Sequence, residues 1–207
     1  MATPSTDIVT TKYSTPFLLF LICAGLAGNF FKFELFLNID FLFGSIFAML
    51  ALQFFGIGGG ILSAAIIAGY TWFIWNHPYA IIIMTAEVAI VGWLMGRRKV
   101  GMVVADTLFW LFIGMPLIYL FYHFFMHVPL DNTYIIMTKQ AVNGIANTLV
   151  ARLIYTGFVL SLRTTLISYR DIVYNLLAFF VLCPALILLM VSSRTDFKET
   201  DHLIRIH

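Results

Sequence analysis

Residues 102–125 read MVVADTLFWLFIGMPLIYLFYHFF, an apolar run in which Asp106 is the one side chain charged at neutral pH. An α-helix needs about 20 predominantly apolar residues to cross a bilayer, and this run is longer than that. The whole chain follows the same pattern, since 61% of its residues are hydrophobic, 11% are charged and 21 are Phe. Soluble domains have far more polar surface. The composition therefore predicts an all-α integral membrane protein.

Polar residues and Gly/Pro clusters divide the sequence into seven apolar stretches, each predicted to be a helix. These stretches are Pro16 to Phe30, Phe41 to Phe55, Ile61 to Trp75, Ala80 to Met95, Met102 to Phe125, Tyr134 to Ser161 and Ile172 to Val191. The first four are shorter than a usual span, which indicates shared boundaries, re-entrant joins or a locally thinned bilayer. Between the second and third, Gly56-Ile57-Gly58-Gly59-Gly60 lacks the Lys and Ser/Thr of a phosphate-binding loop and predicts a tight turn between packed helices.

The position of the cations predicts the orientation. Arg97, Arg98 and Lys99 form the one dense basic loop, which belongs on the cytoplasmic side. Counting spans from that loop places residues 1–14 inside as an N-terminal tail, 15–191 in the membrane and the charged segment 192–207 outside. The last segment is interpreted as an extracytoplasmic tail or a truncated linker. The predicted location is the bacterial inner (cytoplasmic) membrane.

One predicted helix carries an unusual number of polar side chains. Between Tyr134 and Ser161, an apolar stretch long enough to cross the bilayer contains Lys139, Gln140, Asn143, Asn147 and Arg152. At 100° per residue the first four fall within about a third of the circumference, while Arg152 lies off that stripe. Polar groups are costly in hydrocarbon, so this face is predicted to meet a polar cavity or a partner.

Depth along the helices, at about 1.5 Å per residue, groups the polar residues into two layers. The outer layer is predicted to hold Lys139, Gln140 and Asn143 with Glu87 as a further candidate, and the inner layer holds Asp106, Asn147 and Arg152. Hydrogen bonding between helices is the preferred interpretation of the inner layer. The outer layer is interpreted as a small-molecule pocket, because aromatic residues gather at the same level. Its aromatic candidates are Trp72, Trp75, Tyr119 and Tyr122.

The sequence shows no catalytic constellation, so an enzyme is not expected. His123 and His127 have the spacing of metal ligands but lack an evident third ligand, so no metal and no cofactor are expected. Cys23 and Cys183 lie inside predicted spans, where packing is the simplest role. The net charge of +2 is spread thinly, which argues against a nucleic-acid partner.

Four segments together carry a family resemblance. They are FGSIFAMLA at 43–51, FGIGGGILSAA at 55–65, Glu87 ahead of Arg97-Arg98, and KQAVNGIAN at 139–147. Over about residues 15–191 the chain resembles the vitamin-uptake-like sensor domain of bacterial membrane receptors. That domain is related to the substrate-binding S component of energy-coupling-factor vitamin transporters.

The resemblance implies an S-component-like six-helix bundle plus a seventh transmembrane helix. It also implies that a ligand binds near the outer face, beneath a lid formed by residues 31–40 with Asn38 and Asp40 as candidates. Two departures weaken the transporter alternative: the added helix Ile172 to Val191 sends the tail outside, and the Ala-x-x-x-Ala docking motif of transporter helix one is replaced by Ala24-Gly25-Leu26-Ala27-Gly28.

The function expected from the sequence is that of a sensory domain in a signal-transduction receptor, binding a small organic molecule such as an aromatic acid. Lys139 is the candidate partner for the acid, with Asn143 beside it. The alternatives are a transport subunit and a purely structural anchor. The expected partners are the ligand and membrane lipid, with a second copy of the chain as a candidate.

Overall fold

A computed structural model describes residues 13–31, 33–36, 39–161, 173–175 and 177–178 of the chain. The described part is mainly helical. Its elements are α1 (Thr15–Phe30), β1 (Phe33–Phe36), β2 (Ile39–Phe41), α2 (Gly44–Gly69), α3 (Thr71–Trp75), α4 (Tyr79–Arg98), α5 (Met102–Phe109), a π-helical segment (Trp110–Gly114), α6 (Met115–Ile118), a second π-helical segment (Tyr119–Phe125) and α7 (Leu130–Ser161).

Helix α2 turns back on itself at Gly56, whose backbone has φ 75° and ψ −172°. A straight helix would place Gly44 and Ile67 about 34 Å apart. Instead, a Cβ built on Gly44 would lie 2.6 Å from an Ile67 methyl carbon, and one built on Gly60 would lie 2.9 Å from the Leu52 Cα. Residues 44–55 and 57–69 are therefore two antiparallel arms. The predicted tight turn at this glycine cluster is confirmed.

Asn29 fixes the ends of these arms against α1. Its side-chain amide donates to the Ile67 carbonyl at 3.0 Å, and its Oδ1 accepts from the Gly44 amide at 2.9 Å. The Asn29 side chain is fully buried. One amide thus ties the first residue of the first arm to the last turn of the second, and satisfies a backbone donor at the start of α2.

The stretch 102–125 forms one rod in which α5, α6 and the two π-helical segments alternate. Pro116 lacks the N–H that an α-helix needs at that position, and the first π-helical segment ends two residues before it. Wide turns of this kind accommodate the missing hydrogen bond without ending the helix. The rod was predicted as a single helix and is single in its course.

Three stretches of the described chain are long and apolar enough to span a membrane: Gly44–Trp75, Tyr79–Arg98 and Met102–Phe125. The chain is therefore a membrane protein, although the reversal at Gly56 divides the first stretch into two shorter arms. Helix α7 is also long enough to cross a bilayer, and its polar residues give it a lower average hydrophobicity than α2, α4 or α5. The crossing of the bilayer by residues 134–161 stays a prediction.

Six helical rods result in the part of the chain that the structure describes: α1, the two arms of α2, α4, the 102–125 rod and α7. The predicted seventh helix, Ile172 to Val191, lies almost wholly outside the described residues, of which 173–175 and 177–178 are helical. Strands β1 and β2 form an antiparallel hairpin between α1 and α2, in which Phe33 pairs with Phe41 and Glu34 with Asp40. The predicted lid segment is thus a β-hairpin rather than a continuation of α1.

Candidate functional site

The polar face of α7 holds the start of α2. Asn143 and Asn147 lie one helical turn apart, and both side-chain amides donate to the Leu42 carbonyl, at 3.1 Å and 2.7 Å. The Asn147 amide also donates to the Ser45 hydroxyl at 2.6 Å. Because Leu42 directly follows β2, these bonds fix the point where the hairpin joins the helical bundle. The Oδ1 of Asn143 is buried and accepts no hydrogen bond from the described residues.

Lys139 lies one turn earlier on the same face and is 94% buried, with 6% of its surface exposed. Its Nζ stands 5.7 Å from the centre of the Trp75 ring, within the range of a cation–π interaction. Trp75 ends α3, and its ring stacks on that of His77 at 6.1 Å. The His77 ring meets Tyr122 edge-on at 5.3 Å. Burial lowers the pKa of His77 and outweighs the effect of a backbone hydrogen bond, which raises it.

A small cavity opens beside Gln140, with room for about one water molecule. Trp110 and Tyr122 form its aromatic wall. The remaining lining residues are Ala80, Ile83, Met84 and Ile118. Pockets that enclose drug-sized ligands measure about 300–1,000 Å³, so a ligand of that size requires this region to open.

Glu87 and Asp106 meet in the interior, across the predicted division into outer and inner layers. Glu87 is 1% exposed and Asp106 is fully buried. The Trp110 indole donates to Glu87 Oε1 at 2.8 Å. The two carboxyl groups interact directly, and Asp106 also lies against the Thr148 hydroxyl of α7. None of the described residues completes a well-formed hydrogen bond to either Asp106 oxygen or to Thr148 Oγ1.

Arg152 belongs to a separate contact nearer the turn at Gly56. Its Nη1 donates to Gln53 Oε1 at 3.1 Å, and its guanidinium lies 5.7 Å from the Tyr155 ring. Gln53 in turn donates to the Ala151 carbonyl at 3.4 Å. The three residues of the predicted inner layer therefore contact different partners: Asp106 meets Glu87, Asn147 holds Leu42, and Arg152 binds Gln53.

The other predicted site residues divide between the interior and the surface. Tyr122 is buried at the cavity, and Trp75 contacts Lys139, whereas Trp72 is 46% exposed. Tyr119 lies beside His123, with ring centres 5.2 Å apart. Asp40 is in β2, and Asn38 lies outside the described residues. The structure therefore brings Lys139, Gln140, Asn143, Trp75 and Tyr122 into one region and leaves Trp72 at the surface.

Trp110, Thr148 and Gly144 were not singled out from the sequence. A Cβ on Gly144 would overlap the Trp110 indole nitrogen and lie 2.5 Å from its Cε2, so the glycine lets the ring cross α7 closely. Trp110 stands in an apolar run, and its sequence neighbours give no sign of a polar partner. Thr148 follows Asn147 directly, and its position on the polar helix is the one signal that pointed to it.

No protein-family model, curated protein or solved structure matches this chain.

Proposed function

We propose that this protein is a membrane-embedded sensory domain that binds a small organic molecule, with an aromatic acid as the favoured class. The observation that carries the proposal is the burial of Lys139 and Asn143 on one face of α7, beside the half-buried Gln140 and between the Trp75 ring and the base of the hairpin. Buried ionisable and polar side chains in a membrane bundle are expensive and mark binding sites more often than lipid-facing surfaces.

The chemistry of the face suits such a ligand. A lysine ammonium pairs with a carboxylate as a compact charge, and the unused Asn143 Oδ1 accepts a hydrogen bond from a ligand donor. Trp75 and Tyr122 offer aromatic surface to a flat apolar body. The cavity beside Gln140 is the point from which the space for that body would open.

The β-hairpin is proposed to act as the lid. Leu42 connects it to α2, and two asparagines of the polar face hold the Leu42 carbonyl. A ligand that takes up Asn143 would change this anchoring and so shift the position of the hairpin and the first arm of α2. The hairpin would then have two positions, and the ligand shifts the equilibrium between them only by binding one position more tightly than the other.

We further propose that the fold is an S-component-like six-helix bundle followed by a seventh transmembrane helix, in the bacterial inner membrane with the N-terminus inside and the C-terminus outside. The six helical rods of the described part support the first half of this proposal. The same count also favours the second candidate, a substrate-binding subunit of an energy-coupling-factor transporter. A reporter fusion that places the C-terminus in the cytoplasm would favour the transporter, because it removes the seventh span.

The test is a thermal-shift screen of the purified chain in detergent against vitamins, nucleobases and small aromatic acids. We expect one acidic class to raise the melting temperature of the wild type and not that of Lys139→Met. Lys99→Met is the matched control, since Lys99 is exposed in the loop after α4 and should leave the ligand shift intact. Equal shifts in both variants would remove Lys139 from the site. A panel without any stabilising compound would favour a structural anchor.

A further inference from the structure

The Glu87 and Asp106 pair is an arrangement that the proposed ligand site does not use. The two carboxyl groups come from adjacent helices, α4 and α5, and together expose almost no surface. Glu87 lies about 12 Å along α4 from Tyr79 and about 16 Å from Arg98, near the middle of that helix. Two ionised carboxylates this close and this deep would repel each other and lack the hydration that stabilises charge.

The donors near the pair do not balance two negative charges. Trp110 supplies one neutral N–H to Glu87, at 2.8 Å. The Thr148 hydroxyl lies against Asp106 from a third helix, fully buried and without a hydrogen-bond partner of its own among the residues described. Both Asp106 oxygens are likewise buried, and neither accepts a well-formed hydrogen bond from the residues that the structure describes. A threonine hydroxyl and carboxylate oxygens converging in this way form a set of hard oxygen ligands that lacks a positive charge.

We propose that Glu87, Asp106 and Thr148 form a buried site for one small monovalent cation, a proton or Na⁺. A proton taken from solvent forms an O–H bond with one carboxylate oxygen and a hydrogen bond to the other, while Na⁺ would be held by the same oxygens. Either cation neutralises one of the two negative charges and so relieves the repulsion between the carboxylates. The described residues contain no group of three His, Cys, Asp or Glu side chains suited to a metal ion, so Na⁺ at this site would be held by two carboxylates and one hydroxyl only.

The elements packed around the pair also carry other ionisable groups. Helix α2 carries none, and α4 carries Tyr79 and the terminal Arg97 and Arg98. On the 102–125 rod and α7 they are Tyr119, Tyr122, His123, Asp131, Tyr134, Lys139, Arg152 and Tyr155. His77 lies in the adjoining loop, and its pKa is lowered by burial from 6.5. Its contribution to stability is present above pH 6.5 and is lost as the pH falls. Stability due to His77 therefore rises with pH, whereas stability due to a proton bound in the native state falls with pH.

The test is the melting temperature of the purified chain between pH 6.5 and 9, in choline chloride or NaCl at equal ionic strength and without organic ligand. If the native state holds one extra proton, the unfolding equilibrium constant rises about tenfold per pH unit in choline chloride. If Na⁺ is the occupant, NaCl restores the melting temperature at high pH. Asp106→Asn should remove the dependence, whereas Asp131→Asn, at an exposed carboxyl in the first turn of α7, should keep it.

A second measurement covers the case in which Asp106→Asn does not fold. Infrared spectra of the wild type at pH 7 in choline chloride should show the carbonyl band of a protonated carboxylic acid, and addition of NaCl should remove it if Na⁺ takes the site. Glu87→Gln, which keeps an oxygen acceptor for Trp110, should also lack that band. A melting temperature indifferent to both pH and Na⁺, together with no such band, would overturn the proposal. None of these readouts involves the organic ligand, so the ligand site and the cation site fail or succeed separately.

Discussion

Replacing Gly144 with alanine tests the packing that positions Trp110. The added methyl would overlap the indole nitrogen and stand 2.5 Å from Cε2 and 2.7 Å from Cζ2, well inside ordinary van der Waals contact. Moving the ring costs about 1–3 kcal/mol for overpacking. Loss of its hydrogen bond to buried Glu87 costs about 1–3 kcal/mol more. The better helix propensity of alanine returns about 1 kcal/mol.

The expected result is a net destabilisation of about 1–5 kcal/mol, or a fall in melting temperature of roughly 2–20 °C for a chain of this size. Differential scanning fluorimetry in detergent measures it. Gly157→Ala is the matched control, because Gly157 lies on the same helix with no atom within 4 Å of the added Cβ, and it should raise the melting temperature slightly. Equal stabilisation in both variants would refute the close crossing of Trp110 over α7.

Two further substitutions test the reversal of α2 at Gly56 and the packing of its two antiparallel arms. Gly56→Ala should destabilise the protein by about 1–3 kcal/mol because Gly56 has φ 75°, whereas Gly96→Ala, in open space on α4, should be neutral or stabilising in the same melting experiment. Asn29→Ala should cost about 2–4 kcal/mol by removing two buried hydrogen bonds, whereas Asn132→Ala, at an exposed site in the first turn of α7, should change the melting temperature little. A melting temperature for Asn29→Ala equal to that of Asn132→Ala would contradict the role of Asn29 in holding the two arms of α2 together.

The helices and the turn at Gly56 could be predicted because hydropathy and glycine clusters are local signals. The alignment of polar residues on α7 could also be predicted from the sequence, since helical periodicity alone places Lys139, Gln140 and Asn143 on one face. The residues that these side chains contact could not be predicted from the sequence. Depth counted from helix ends placed Glu87 and Asp106 in different layers, because the count treats helices as parallel rods with level ends.

The hydrogen bonds that bring distant residues together follow from packing, which has no local trace in sequence. Asn143 reaches the carbonyl of Leu42, 101 residues earlier, and Trp110 reaches Glu87 only because Gly144 makes room for its ring. The β-hairpin was also hidden, because its apolar residues continue the hydrophobic pattern of α1. A sequence of uniformly apolar helices thus reveals which faces are polar and conceals which faces meet.

Trp110 belongs to both proposed sites, and this has a thermodynamic consequence. Its ring lines the cavity beside Gln140, and its N–H is the donor that holds Glu87. If a ligand opens the cavity by moving this ring, the indole N–H no longer donates to Glu87. The cation affinity of the carboxyl pair then changes. Because coupling between two bound species is reciprocal, the cation must alter ligand affinity by the same factor. Equal ligand affinity with and without the cation would mean that the ligand leaves Trp110 in place and enters closer to Trp75 and the hairpin.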